Sequence, residues 1–193
     1  MDKRVKKNQF GFYEIINKPT PEELKDYYAA KYYQNAYGSY EKSYSEEEIL
    51  YCKNKLLQKL LIIDKLINYG ENTFLDVGAG EGWALDCFKK QGWNCTGLDY
   101  SEFGCKVHNP DCLTDMIVGD IYENIQKLII NKEEYQVILL DNVLEHVIEP
   151  LSLLKSVKKL MMKVLLQEKQ QIHHPKKDLK LYLKIQPKKL QNQ

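Results

Sequence analysis

From residue 73 onward, short apolar runs alternate with helical stretches, which is the pattern of a parallel sheet joined by crossover helices. Strands are predicted at 73–77, 94–98, 116–118 and 136–140, and helices near 82–91, 101–107, 121–130 and 150–162. Each strand ends at or just before an acidic residue or a glycine: Asp76 and Gly78, Asp99, Gly119 and Asp120, Asp141. Ligands of open α/β sheets bind beyond the carboxyl ends of the strands, so these polar tips outline one crevice. Upstream, Ile49, Leu56, Leu57, Leu60, Ile63, Leu66 and Ile67 recur at helical spacing, with a capping box at Ser45-Glu46-Glu47-Glu48 and a stop at Gly70. Thr20-Pro21-Glu22-Glu23 marks another helix start. The first seventy residues therefore read as helices, the longest of them lying against the sheet.

The length of 193 residues suits one domain, and 44% hydrophobic against 28% charged residues excludes neither a core nor solubility. No apolar run approaches the roughly 20 residues of a spanning helix, since Gln58 and Lys59 interrupt the longest. The charged start, Met1 to Lys7, is unlike a secretory signal, which leads us to expect a cytoplasmic protein with no membrane span. Cys52, Cys87, Cys95, Cys105 and Cys112 lack paired zinc spacing and read as reduced, mostly buried thiols. The net charge of +1 conceals a tail, residues 163–193, at +6 and a remainder at −5. Such lysines usually form a solvated face, so no nucleic-acid partner is expected.

The strongest local signal is Phe74-Leu75-Asp76-Val77-Gly78-Ala79-Gly80-Glu81-Gly82, a strand entering a glycine turn that opens a helix. Glycines there permit a sharp turn and the close approach of a ligand. The dinucleotide fingerprint G-x-G-x-x-G is not met, because position 83 is Trp and the third glycine comes one residue early. Residues 76–82 instead resemble the first motif, D-x-G-x-G-x-G, of the class I S-adenosylmethionine-dependent methyltransferases. Over about residues 45–160 the later motifs follow in order at Asp99, at Val118-Gly119-Asp120-Ile121 and at Asp141-Asn142-Val143-Leu144-Glu145-His146-Val147.

That resemblance implies a Rossmann-like α/β fold, S-adenosylmethionine as cofactor, and a role for each matching residue. Gly78, Ala79 and Gly80 would pass under the cofactor's methionine and ribose, with Asp76 holding the loop and polar methionine groups. Asp99 would accept both ribose hydroxyls, Tyr100 would pack on adenine, Asp120 would accept the adenine amino group, Ile121 would add an apolar wall, and Asn142 would lie at the methionine end. Glu81 matches only as a spacer. His146 is the candidate base for a hydroxyl acceptor, weighed against a structural place at a helix start. Some relatives hold a divalent metal with E-x-x-E-H; here Asn142 replaces the first Glu, so no metal is expected. His108, His173 and His174 read as solvated.

The tyrosines at 27, 28, 32, 33, 37 and 40 read first as packing over the domain and second as a lid over cofactor and acceptor. The N-terminal segment is also similar to that of bacterial methyltransferases associated with surface polysaccharides, which makes a small molecule or saccharide the expected acceptor. Three segments follow: a Tyr-rich helical stretch (1–44), a Rossmann-like cofactor-binding core (45–163) and a divergent Lys-rich tail (164–193). No glycine occurs after Gly119, whereas the family places a glycine turn and a fifth strand after the fourth. The C-terminus is therefore expected to be incomplete or frame-shifted beyond about Lys163. The alternative to an enzyme is a remnant that binds S-adenosylmethionine without turnover.

Overall fold

A computed structural model describes residues 3–28, 43–66 and 72–162. Its centre is a four-stranded parallel sheet of β3 (Thr73–Val77), β4 (Asn94–Asp99), β5 (Met116–Val118) and β6 (Val137–Leu139), in the order β5-β4-β3-β6. Between them run α3 (Trp83–Lys90), α4 (Phe103–His108), α5 (Ile121–Ile130) and, after β6, α6 (Pro150–Leu160). A 3-10 helix at Pro110–Asp115, which no sequence signal announced, joins α4 to β5. Parallel strands need helices on both faces, and two buried clusters show that arrangement. One gathers Phe74, Leu85, Phe88 and Trp93; the other gathers Leu75, Val77, Leu98, Ile125, Leu153 and Leu160.

Helix α2 (Glu46–Leu66) begins at the predicted capping box: Ser45 N donates to Glu48 and Glu48 N donates to Ser45 Oγ. Its Leu56 and Leu60 are buried in the first cluster, with Ile63 packed against it, so the periodic face does lie on the core. The predicted stop at Gly70 lies outside the described residues. At Thr20 the same reciprocal bonds with Glu23 open α1 (Pro21–Tyr27).

Among the described residues of the expected all-helical N-terminal segment, the helix is α1, Pro21–Tyr27, and residues 29–42 lie outside the described residues. Before α1, β1 (Val5–Lys7) pairs antiparallel with β2 (Tyr13–Ile15). The strands are three residues each and polar, too short to show a period of two. After α6, Tyr135 forms a parallel bridge with Met161. Tyr135 N donates to Leu160 O and Met162 N to Tyr135 O, while Gln136 N points the other way to Thr73 O, so Met161 lies along the edge of β6 opposite β3. The tail expected to be incomplete, residues 164–193, lies outside the described residues.

Candidate functional site

The sheet order sets the tips of β5, β4, β3 and β6 side by side, and the acidic residues read from sequence come together there. Asp76, on β3, pairs in register with Gly97 and Leu139; Asp99, ending β4, pairs with Val118. The glycine loop after β3 hangs from β4: Gly78 N and Ala79 N both donate to Leu98 O, at 2.8 and 3.0 Å, and Gly80 N donates to Asp99 Oδ2 at 2.9 Å. Asp99, expected to take ribose, thus also holds the loop, the job expected of Asp76. Its other oxygen accepts Ser101 N. Burial pushes the Asp99 carboxyl above its ordinary range, and backbone bonds from Gly80, Ser101 and Tyr100 pull it back.

Asp76 is almost wholly buried, and its pKa is pushed up to about 7, first by burial and then by Asp141 and Asp99; Lys59 acts against this. Lys59 reaches from α2 to bond Asp141 at the tip of β6. The crevice floor is therefore rich in carboxyl groups and poor in cations.

Two of the three glycines stand where a side chain would collide with packed neighbours. A Cβ on Gly78 would stand 2.6 Å from Val143 Cγ2, and one on Gly82 would stand 2.8 Å from Cys105 Sγ. Val143 is buried, and its neighbour Asn142 holds a positive φ of 56° at the β6 tip, so the segment after β6 is pressed against the loop.

At the β5 tip, Asp120 caps α5: one oxygen accepts Glu123 N and the other accepts the Tyr100 hydroxyl, each at 2.9 Å. The ring of Tyr100 accordingly spans from the β4 tip toward the β5 tip and packs against the cluster in which Ile121 is buried. Asn142 and His146 are exposed. The backbone N–H of His146 donates to Val143 O, and its ring meets Tyr28 edge-on at 6.4 Å. Among the described residues no three His, Cys, Asp or Glu side chains gather to hold a metal.

The sequence reading missed Glu81. Its carboxylate accepts the Tyr44 hydroxyl on both oxygens, at 2.8 and 2.9 Å, and Trp83 Nε1 at 2.7 Å, fastening the residue before α2's cap to the glycine loop. His108, expected in solvent, packs against Tyr44 and Trp83, with centroids at 5.0 and 5.8 Å. No local pattern reports the bond to Tyr44, which lies 37 residues from Glu81, or the packing of His108, whose ring partners lie 64 and 25 residues away. The thiols behave as expected: all are free, and only Cys52 is less than buried.

A sequence-family model described as a methyltransferase domain matches residues 45–183. The chain belongs to this family, the class I S-adenosylmethionine-dependent methyltransferases. No curated protein matches it. Among solved structures it is similar to a SAM-dependent methyltransferase from Archaeoglobus fulgidus, at 20% identity and a TM-score of 0.48, over 58% of this chain and 48% of that one. It is also similar to the plantazolicin methyltransferase BpumL in complex with SAH (18%, TM-score 0.46, 72% and 53%) and to WbdD (15%, TM-score 0.39, 62% and 28%). The chain thus spans about half the length of the first two.

The methyltransferase family's cofactor is S-adenosylmethionine, and the residues present suit it. Asp99 is buried and accepts backbone N–H groups on both oxygens, with lone-pair capacity left over for a hydroxyl donor. Asp76 is a buried carboxyl surrounded by more negative than positive charge, which an ammonium group would relieve.

Proposed function

We propose that this chain transfers a methyl group from S-adenosylmethionine to a small-molecule or saccharide acceptor, and that the crevice at the sheet's carboxyl edge is its cofactor site. The observation that carries this reading is the Asp99 carboxylate, buried and bonded to the glycine loop at Gly80. In this reading Asp99 holds the ribose hydroxyls, Gly78, Ala79 and Gly80 form the floor, and Asp76 faces the methionine ammonium. Tyr100 and Ile121 flank adenine, Asp120 accepts its amino group with the lone pairs its cap and Tyr100 leave over, and Asn142 borders the methionine end.

Bound S-adenosylmethionine supplies a methyl group on a sulfonium, already an electrophile. The protein's task is then to place an acceptor in line and exclude water, which is where most of the rate gain arises. In this reading His146, exposed on the segment after β6, takes the proton of a hydroxyl acceptor.

Calorimetric titration with S-adenosylhomocysteine and with NAD tests the cofactor. The expected result is binding of the first alone, weakened at least about tenfold by Asp99→Ala, because charge-assisted hydrogen bonds contribute about 1.5–3 kcal/mol each. Preference for NAD overturns the reading. Radiolabelled methyl transfer to a panel of glycans and phenols tests turnover, and binding without transfer to any of them favours the binding-only alternative.

A further inference from the structure

Tyr100 follows β4 and His146 follows β6, so β3 and its glycine loop lie between them in the sheet. Tyr28, the residue after α1, touches both. Its ring stacks on Tyr100 with centroids 5.7 Å apart and planes 9° apart, and meets His146 at 87°. Strands two places apart are separated by about 9.5 Å, so a single phenol ring bridges the two tips that flank the loop.

The ring of Tyr100 has little freedom. Its hydroxyl is bonded to Asp120, and it packs against the buried cluster that includes Ile121 and Val143. One face of that ring is taken by Tyr28, which belongs to neither core cluster. A third ring inserted between the two would need centroids about 7 Å apart, two layers at normal contact distance. The observed 5.7 Å leaves no such gap.

We propose that Tyr28 is an aromatic placeholder for adenine: it occupies the face of Tyr100 on which the cofactor's base stacks, and it must leave for the cofactor to enter. The proposal rests on the cofactor reading of the crevice given above. Tyr28 thereby sets cofactor affinity, because a fraction of molecules holds the site closed and apparent affinity falls by that fraction. An offset-stacked pair is worth enough to shift binding about two- to tenfold.

The test is S-adenosylhomocysteine binding to the full chain and to Tyr28→Ala, by calorimetry and by stopped-flow kinetics. The expected result is binding two- to tenfold tighter in the variant, through faster association at an unchanged dissociation rate. Tyr28→Leu, which keeps an apolar side chain, gives the same sign should alanine loosen the N-terminal segment. Binding that weakens, that dissociates faster or that does not change overturns the placeholder and makes Tyr28 a clamp or a bystander. A wild-type chain that binds no S-adenosylhomocysteine overturns the cofactor reading itself, an outcome the wild-type titration reveals by itself.

Discussion

A carboxyl group forced into a dry interior binds its proton more tightly than it does in water, and Asp76 shows the consequence at a single residue. Because burial raises its pKa from 3.8 to about 7, the folded chain keeps a proton that the unfolded chain has released between these values. This contribution to stability is complete below about pH 4 and is lost as pH rises to about 7, then levels off. Asp76→Asn removes the titration, so its stability relative to wild type should climb between pH 4 and 7 and plateau above, as urea melts at pH 5 and pH 8 would record. A variant whose relative stability is the same at both pH values shows that Asp76 is not held in this state. Gly78 illustrates a steric constraint of the same locality. With φ at +78° and Val143 Cγ2 at 2.6 Å from an added methyl, Gly78→Ala should cost about 1–3 kcal/mol. Val143→Ala in the same chain should recover part of that cost in a double-mutant cycle, since it relieves the clash and leaves only the backbone strain.

At the scale of elements, what could be read from the pattern was whatever is stored locally. The reciprocal bonds at Ser45 and Thr20 depend on residues three apart, and both helix starts fall where the capping boxes predicted. Ser45→Ala should therefore cost about 0.5–2 kcal/mol in thermal or chemical unfolding. An unchanged midpoint would mean that α2 is held by packing of Leu56 and Leu60 alone. The apolar run of β3 was legible because a central strand covered on both faces reads as a near-continuous apolar stretch, while β5, at the sheet edge with Ile117 and Val118 exposed, was legible from its three apolar residues alone. The β1–β2 hairpin was not, because Val5-Lys6-Lys7 and Tyr13-Glu14-Ile15 offer no buried face to set a period. The placements of Glu81 and His108 were equally silent, being decided by rings that arrive from other elements.

Across the whole molecule, the N-terminal segment is joined to the segment bearing His146 through Lys18, whose ammonium donates to Ile148 O and to Glu149, both at 2.9 Å, and lies 3.4 Å from Glu14. The pair is largely exposed, so it contributes little to global stability. Lys18→Met should leave the unfolding midpoint nearly unchanged while amide exchange in residues 5–15 and 146–149 quickens, because local opening is governed by local contacts. A large fall in the midpoint would instead make Lys18 part of the cooperative core. The amino-acid pattern by itself determined the alternation of strands and α-helices from β3 to α6, the glycine loop and the identity of the acidic tips, since each is written in neighbouring residues. Only the tertiary structure decided that Asp99 bonds the loop at Gly80, that Val143 fills the space above Gly78, and that Tyr28 meets both Tyr100 and His146. Those outcomes depend on which distant groups meet once the sheet order β5-β4-β3-β6 is formed, and meetings between residues 19 to 118 positions apart leave no trace in local spacing.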